Sequence, residues 1–283
     1  MLVALCLAIG SGCAPHAHSG LQSGSAPPRI ISLAPSLTEI AFALGCGERL
    51  VADTDFDDYP DAARALPHVA DTRTADLEQV AALHPTAIVA LHDQEAEGSA
   101  IERQLGTPVA YLPNRDLTDL SADIAGVAAA CGRTAQGRAL AERLTAKIAH
   151  IEEEPHPSPR PRVLYLLGLP GFAAGGHSFL SDMIEAAGGV NVAVESNEPY
   201  PDLNAEAIVR ADPDVLIVAR DTPFGADVQA REPWRSLKAV RDGRVLRPPS
   251  DDIMERNGPR VVQGLGWLRS VLWGAPLRRA GGP

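Results

Sequence analysis

Short apolar runs alternate with helical periodicities along most of the chain. Arg29-Ile-Ile-Ser-Leu33 reads as a strand, and Leu37, Ile40, Ala41 and Leu44 follow it at helical spacing. Ser36 with Glu39 three residues later is a capping-box pattern, and Gly45 supplies the residue that ends the helix. The same rhythm predicts strands over 49–53, 87–91, 109–113, 162–167, 215–219 and 244–248. Helices are predicted over 76–84, 98–105, 116–131, 178–187, 205–211 and 259–272. Strands that alternate with helices build parallel sheets covered on both faces. The expected class is therefore α/β.

One unit occurs twice. Glu78, an aliphatic residue two positions on, Pro85 and the strand Ala87-Ile-Val-Ala90 have counterparts in Glu206, Ile208, Pro213 and Val215-Leu-Ile-Val218. The offset is 128 residues both from Glu78 to Glu206 and from Pro85 to Pro213. A short helix stopped by proline thus feeds a buried strand once in each half. Between the halves, residues 134–154 form one amphipathic run with Leu140, Leu144, Ile148 and Ile151 as its apolar stripe. The segment 155–161, rich in proline, ends it. The expected architecture is two doubly wound, Rossmann-like lobes, 29–133 and 155–275, joined by a long rigid helix over 134–154. Residues 276–283 form a tail.

Composition narrows the function. The net charge is −11, and no block of Lys or Arg interrupts it, which argues against a nucleic-acid partner. No stretch reaches the roughly 18 apolar residues that a membrane-spanning helix needs. Met1–Ile9 is an apolar run followed by Gly10-Ser-Gly-Cys13, and residues 14–28 are rich in His, Ser, Gly and Pro. Residues 1–28 are thus expected to be an export leader and flexible tether, with a periplasmic or cell-surface location. Small residues before Cys13 resemble a lipobox, which would make Cys13 the point of lipid attachment. Cys46 and Cys131 are the two cysteines left in the folded part. An exported compartment permits a bond between them, and two separately buried thiols are the alternative.

Enzymatic signatures fail on inspection. Gly176-His-Ser-Phe-Leu180 begins like a nucleophile elbow but ends in Leu where Gly is required. Gly45-Cys-Gly follows a helix where a dinucleotide loop should precede one. A zinc site would need about three imidazoles and a carboxylate converging, and His68, His84, His92 and His177 are scattered. The chain is expected to be a non-enzyme, with no metal and no cofactor.

Four ordered motifs carry a resemblance. They are Arg29-Ile-Ile-Ser-Leu-Ala-Pro-Ser-Leu-Thr-Glu-Ile-Ala-Phe-Ala-Leu-Gly45, Phe179-Leu-Ser-Asp-Met-Ile-Glu-Ala-Ala-Gly-Gly-Val-Asn-Val192, Trp234–Val245 and Asp252–Arg260. Together they resemble the periplasmic binding proteins for vitamin B12, haem and iron siderophores, over residues 29–273. The resemblance implies a monomeric substrate-binding protein of an ABC importer, working with a permease and its ATPase. It implies a corrinoid ligand of the vitamin B12 type, with a ferric siderophore or haem as the alternative. An extracellular sensor or scaffold on the same fold is the alternative of another class. It also implies that Phe56, Phe172, Tyr200, Asp252 and Arg256 contact the ligand. Glu78 and Glu206 would then dock on the permease, one from each lobe.

Overall fold

A computed structural model of the protein describes residues 26–273 apart from 72, 73, 157 and 197. The leader, Cys13 and the tail lie outside the described residues. The N-terminal lobe begins with β1 (Ile30–Ser32), whose three residues are all buried. α1 (Pro35–Ala43) follows, then β2 (Leu50–Thr54), β3 (His68–Ala70), α2 (Leu77–Ala82), β4 (Ala87–Leu91), α3 (Glu95–Leu105), β5 (Val109–Leu112) and α4 (Leu120–Ala130). The five strands form one parallel sheet in the order β3-β2-β1-β4-β5. The chain builds outward from β1 to β3, then crosses back to β4 on the other side of β1. A crevice therefore opens beyond the carboxyl ends of β1 and β4, where doubly wound sheets hold ligands.

α1 begins two residues earlier than the capping-box reading places it. Its N-cap is Ala34, which has no capping side chain, and Pro35 occupies the first turn. Ser36 and Glu39 are both buried, so the pattern that resembled a cap serves another purpose. The helix ends as expected. Gly45 has φ +70°, and the amides of Gly45 and Cys46 return to the carbonyls of Phe42 and Ala41. This is a Schellman ending, which requires a left-handed residue that glycine adopts without strain.

α5 (Thr134–Glu153) runs 20 residues, roughly 30 Å at 1.5 Å per residue. It packs on α4 behind it and on α6 (Phe179–Ala186) and α11 (Val261–Trp273) ahead of it. Leu140 and Leu144 are buried in this packing, and Ile148 and Ile151 are partly covered. One contiguous apolar core thereby passes from Ile30 and Leu37, through Leu140 and Leu144, to Val163, Met183 and Leu265.

The C-terminal lobe contains β6 (Arg162–Gly168), β7 (Phe172–Ala173), α6, β8 (Val190–Asn191), α7 (Ala205–Ala211), β9 (Val215–Val218), α8 (Ala226–Gln229), α9 (Lys238–Arg241), β10 (Val245–Leu246), α10 (Asp252–Glu255) and α11. β10, β9 and β6 lie side by side in parallel, with β8 also parallel to β6. β7 departs from the all-parallel expectation. Leu169-Pro-Gly171 turns the chain, and β7 returns antiparallel along β6, with Phe172 opposite Gly168. The switch between β6 and β9 again lies at the sheet's carboxyl edge.

The 128-residue repeat extends beyond the residues that revealed it. Asp76 caps α2 and Asn204 caps α7 at equivalent positions, each accepting a backbone N–H from the first turn. His84 and Asp212, also equivalent, take positive φ just before the prolines. Cys46 and Cys131 are joined in a disulfide that ties the end of α1 to the end of α4.

Candidate functional site

The carboxyl ends of both sheets face one cleft of about 610 Å³. The turn from β1 into α1 contributes Ala34, Pro35 and Ser36, the end of β4 Leu91, β6 Leu167 and the residue after β9 Ala219. Each lobe thus presents its topological switch point to the other.

Four aromatic side chains stand exposed among the described residues, namely Phe56, Tyr59, Phe172 and Tyr200. Phe56 and Tyr59 lie on the loop after β2, and Phe56 lines the cleft. Phe172 and Tyr200 belong to the other lobe and pack with ring centroids 6.3 Å apart, tilted by 44°. Their meeting follows from the small residues around Phe172. The segment 199–203 runs along β7, with Ala173 N–H to Pro201 O at 3.0 Å and Leu203 N–H to Gly171 O at 2.9 Å. A side chain at Gly171 would strike the Leu203 carbonyl, so only glycine lets Tyr200's strand approach this closely. Burial first, then the charges of Glu255 and Asp93, push the Tyr200 hydroxyl up to about 12. Those two carboxylates come from opposite lobes.

The cleft is acidic. Asp55, Asp58, Asp221, Asp251, Asp252 and Glu255 line it, against Arg256 as the one lining cation. Arg256 is already engaged. Its Nη1 donates to Asp58 Oδ1 at 2.7 Å and Glu39 Oε1 at 3.1 Å, and its Nη2 to the Phe56 carbonyl at 3.1 Å. Asp252 Oδ1 is 2.9 Å from the same Nη2, the pairing that a four-residue spacing allows. Asp252 and Arg256 therefore sit at the cleft as the sequence suggested, but as members of an ion cluster spanning the lobes. Glu39 and Arg260, which complete that cluster, carry no local signal in the sequence; they are 221 residues apart. Glu255 opens onto the cleft beside Tyr165. Loss of water, and then the charges of Asp251, Asp221 and Asp252, raise its carboxyl to about 7.

The loop bearing Phe56 grows from a buried acidic pair. Asp57 accepts Thr54 N–H at 2.9 Å and Thr54 Oγ1–H at 2.5 Å, closing the turn that carries Phe56. Asp53, one strand position earlier, lies 2.6 Å from His68 Nδ1 and is wholly buried. Burial and the neighbouring Asp57 charge raise Asp53 to about 7. Among the described residues, no group of His, Cys, Asp and Glu is arranged to hold a metal ion.

Glu78 and Glu206 are exposed in the first turns of α2 and α7. Both helices run antiparallel to the strands they feed, so these turns lie at the carboxyl ends of the sheets, on the cleft side of each lobe. Arg210 stands 3.9 Å from Glu206, an exposed pair of small energetic weight.

Comparison with known proteins agrees with this architecture. The family model described as "Periplasmic binding protein" matches residues 30–251. The vitamin B12-binding protein of Yersinia pestis (strain Pestoides F) is 29% identical over 196 residues, 69% of this chain and 70% of its own length. The apo structure of the periplasmic haem-binding protein RhuT from Roseiflexus sp. RS-1 superposes with a TM-score of 0.77 at 30% identity, covering 89% of this chain and all of that one. The periplasmic vitamin B12-binding protein BtuF of Vibrio cholerae superposes with a TM-score of 0.71 at 26% identity, over 87% of this chain and 96% of that one. Two facing lobes and a match that runs through both sheets lead to one conclusion: this chain belongs to the periplasmic binding protein family, whose members hold a solute rather than transform it.

Proposed function

We propose that this protein is the substrate-binding component of an ABC importer, and that its cleft captures a corrinoid of the vitamin B12 type. The observation that carries the ligand assignment is the charge of the cleft. Six lining carboxylates face one arginine, which pairs with two of them, Asp58 and Asp252, and leaves an excess of acidic groups. A corrinoid edge bears amides, whose N–H groups suit carboxylate acceptors. The paired carboxylates of haem, or the charges of an anionic ferric siderophore, would meet repulsion there.

In this reading Phe56 covers one side of the ring, and Phe172 with Tyr200 the other. Asp252 lies at the polar edge, and Arg256 holds the Phe56 loop in place. Burying about 300 Å² of apolar ligand surface contributes on the order of 7 kcal/mol. Ordering costs reduce this, so the polar contacts are needed for tight binding. No bond is made or broken. The protein is exported, is anchored through Cys13, and delivers its ligand by docking Glu78 and Glu206 on arginines of the permease, whose ATPase drives uptake. Carboxylates at equivalent positions of two lobes suit a partner with two-fold symmetry. Haem is the second reading, favoured by the likeness to a haem-binding structure.

Titration calorimetry with cyanocobalamin is expected to give sub-micromolar affinity, with hemin at least about tenfold weaker. The reverse order would transfer the assignment to haem. Glu78→Ala combined with Glu206→Ala is expected to leave cyanocobalamin affinity within about twofold and to reduce cellular uptake more than about tenfold. A matching loss of affinity would remove their docking role.

Glu255 supplies a pH test. Its folded-state pKa of about 7 exceeds the ordinary 4.5, so its contribution to stability is complete below about pH 4.5. That contribution is lost as pH rises through 7. The melting temperature of the wild type relative to Glu255→Gln should therefore fall between pH 5 and about 8. A difference independent of pH would mean that Glu255 titrates normally.

A further inference from the structure

A charge cluster spans the two lobes, and only its Asp252 end faces the proposed ligand edge. Glu39 is 3% exposed, and its carboxylate accepts Arg260 Nε at 2.8 Å, Arg260 Nη2 at 2.5 Å and Arg256 Nη1 at 3.1 Å. Both arginines come from the opposite lobe, 217 and 221 positions along the chain. From this seat they reach one loop. Arg256 binds the Phe56 carbonyl and the Asp58 carboxylate. The Arg260 guanidinium lies 4.0 Å from the centre of the Tyr59 ring. Asp252 neutralises the far side, 2.9 Å from Arg256 and 3.6 Å from Arg260.

The loop's own bonds hold its base. Asp57 closes the turn onto Thr54, while Phe56 O, Asp58 and Tyr59 are held from across the cleft. Asp58 and Asp252 share the charge of these arginines, but Glu39 is the buried carboxylate of the N-terminal lobe that both of them reach. The clamp therefore pivots on Glu39.

We propose that Glu39, Arg256 and Arg260 are positioning residues. They clamp the Phe56–Tyr59 loop from the opposite lobe, setting the width of the cleft and the pose of the Phe56 ring. The proposal rests on the reading of Phe56 as a ligand-facing ring, but the clamp itself operates in the empty protein and is measurable there. A ligand gains by meeting a ring already in place, since ordering the loop is not charged against binding.

Amide hydrogen exchange of the ligand-free full chain, wild type against Glu39→Gln, tests it. Amides of residues 54–59 are expected to exchange at least about tenfold faster in the variant, with those of β6 and α5 unchanged. Equal exchange at 54–59 in the two proteins, or a uniform rise throughout, would overturn the proposal, the second because Glu39 would then be a general stability residue. Should Glu39→Gln fail to fold, Arg260→Met carries the same test, since it keeps the side-chain stem and removes the charge over Tyr59. Stopped-flow with cyanocobalamin adds an independent arm, in which dissociation is expected to accelerate about tenfold in either variant with the association rate nearly constant. Should cyanocobalamin bind neither wild type nor variant, the corrinoid reading fails, and the exchange data still decide the clamp.

Discussion

Glu39 sits on a helix whose neighbours are buried in the N-terminal lobe, and its carboxylate is almost wholly removed from water. Such a charge is tolerated when opposite charges with good hydrogen-bond geometry surround it. Here those charges are Arg256 and Arg260, supplied by the other lobe. The pairing fixes how far apart the lobes stand, because neither lobe satisfies its own share of the cluster. Two further hydrogen bonds between the lobes reinforce it. Asn257 Nδ2 donates to the Asp116 carbonyl at 2.8 Å, and Leu117 N–H to Asp182 Oδ2 at 2.9 Å. Behind them α5 packs against helices of both lobes, so charge in front and apolar packing behind hold the same separation.

That separation gives the cleft its use. Both sheets end at it, and both reverse their strand order there, so each lobe contributes backbone ends rather than a closed surface. Aromatic rings stand on the loops above those ends, and carboxylates line the walls. A helix strut packed on both sides resists opening more than two extended crossover strands would. On the proposed function, small closure on binding is expected, with release driven by the permease. Solute capture in this family needs no reacting group, and the raised carboxylates are accounted for by burial and by one another.

Much of the frame was legible because it is local. The helix over 205–211, the strut from 134 and the strand over 87–91 follow from periodicity and breakers within one window. The repeat was legible for the same reason, and its caps and left-handed residues fall at the same offset. Several elements of two to four residues were not, although β1, β5, β9 and β10 were. β7, β8, α8, α9 and α10 are too short to show a period, and β7 runs against the rule of parallel strands because a three-residue turn cannot make a crossover. The Cys46–Cys131 bond could not be chosen over two thiols, since nothing local relates the ends of α1 and α4. The site divides in the same way. Phe172 and Phe56 announced themselves by sitting among glycines or aspartates, whereas nothing local marked Tyr200. The acidity of the cleft did not, because its carboxylates arrive from three separate segments, and Glu39 looked like part of a helix cap.

The central claim is that two lobes held at a fixed distance enclose a flat guest between Phe56 on one side and Phe172 with Tyr200 on the other. A crystal structure of the full chain with cyanocobalamin bound tests it most directly. The account predicts the corrin ring lying between those side chains, with its amides toward Asp252 and Glu255, the Glu39–Arg260 pair intact, and the lobes shifted by only a few degrees. A ring bound outside the cleft, or lobes swung apart with Glu39 and Arg260 separated, would contradict it.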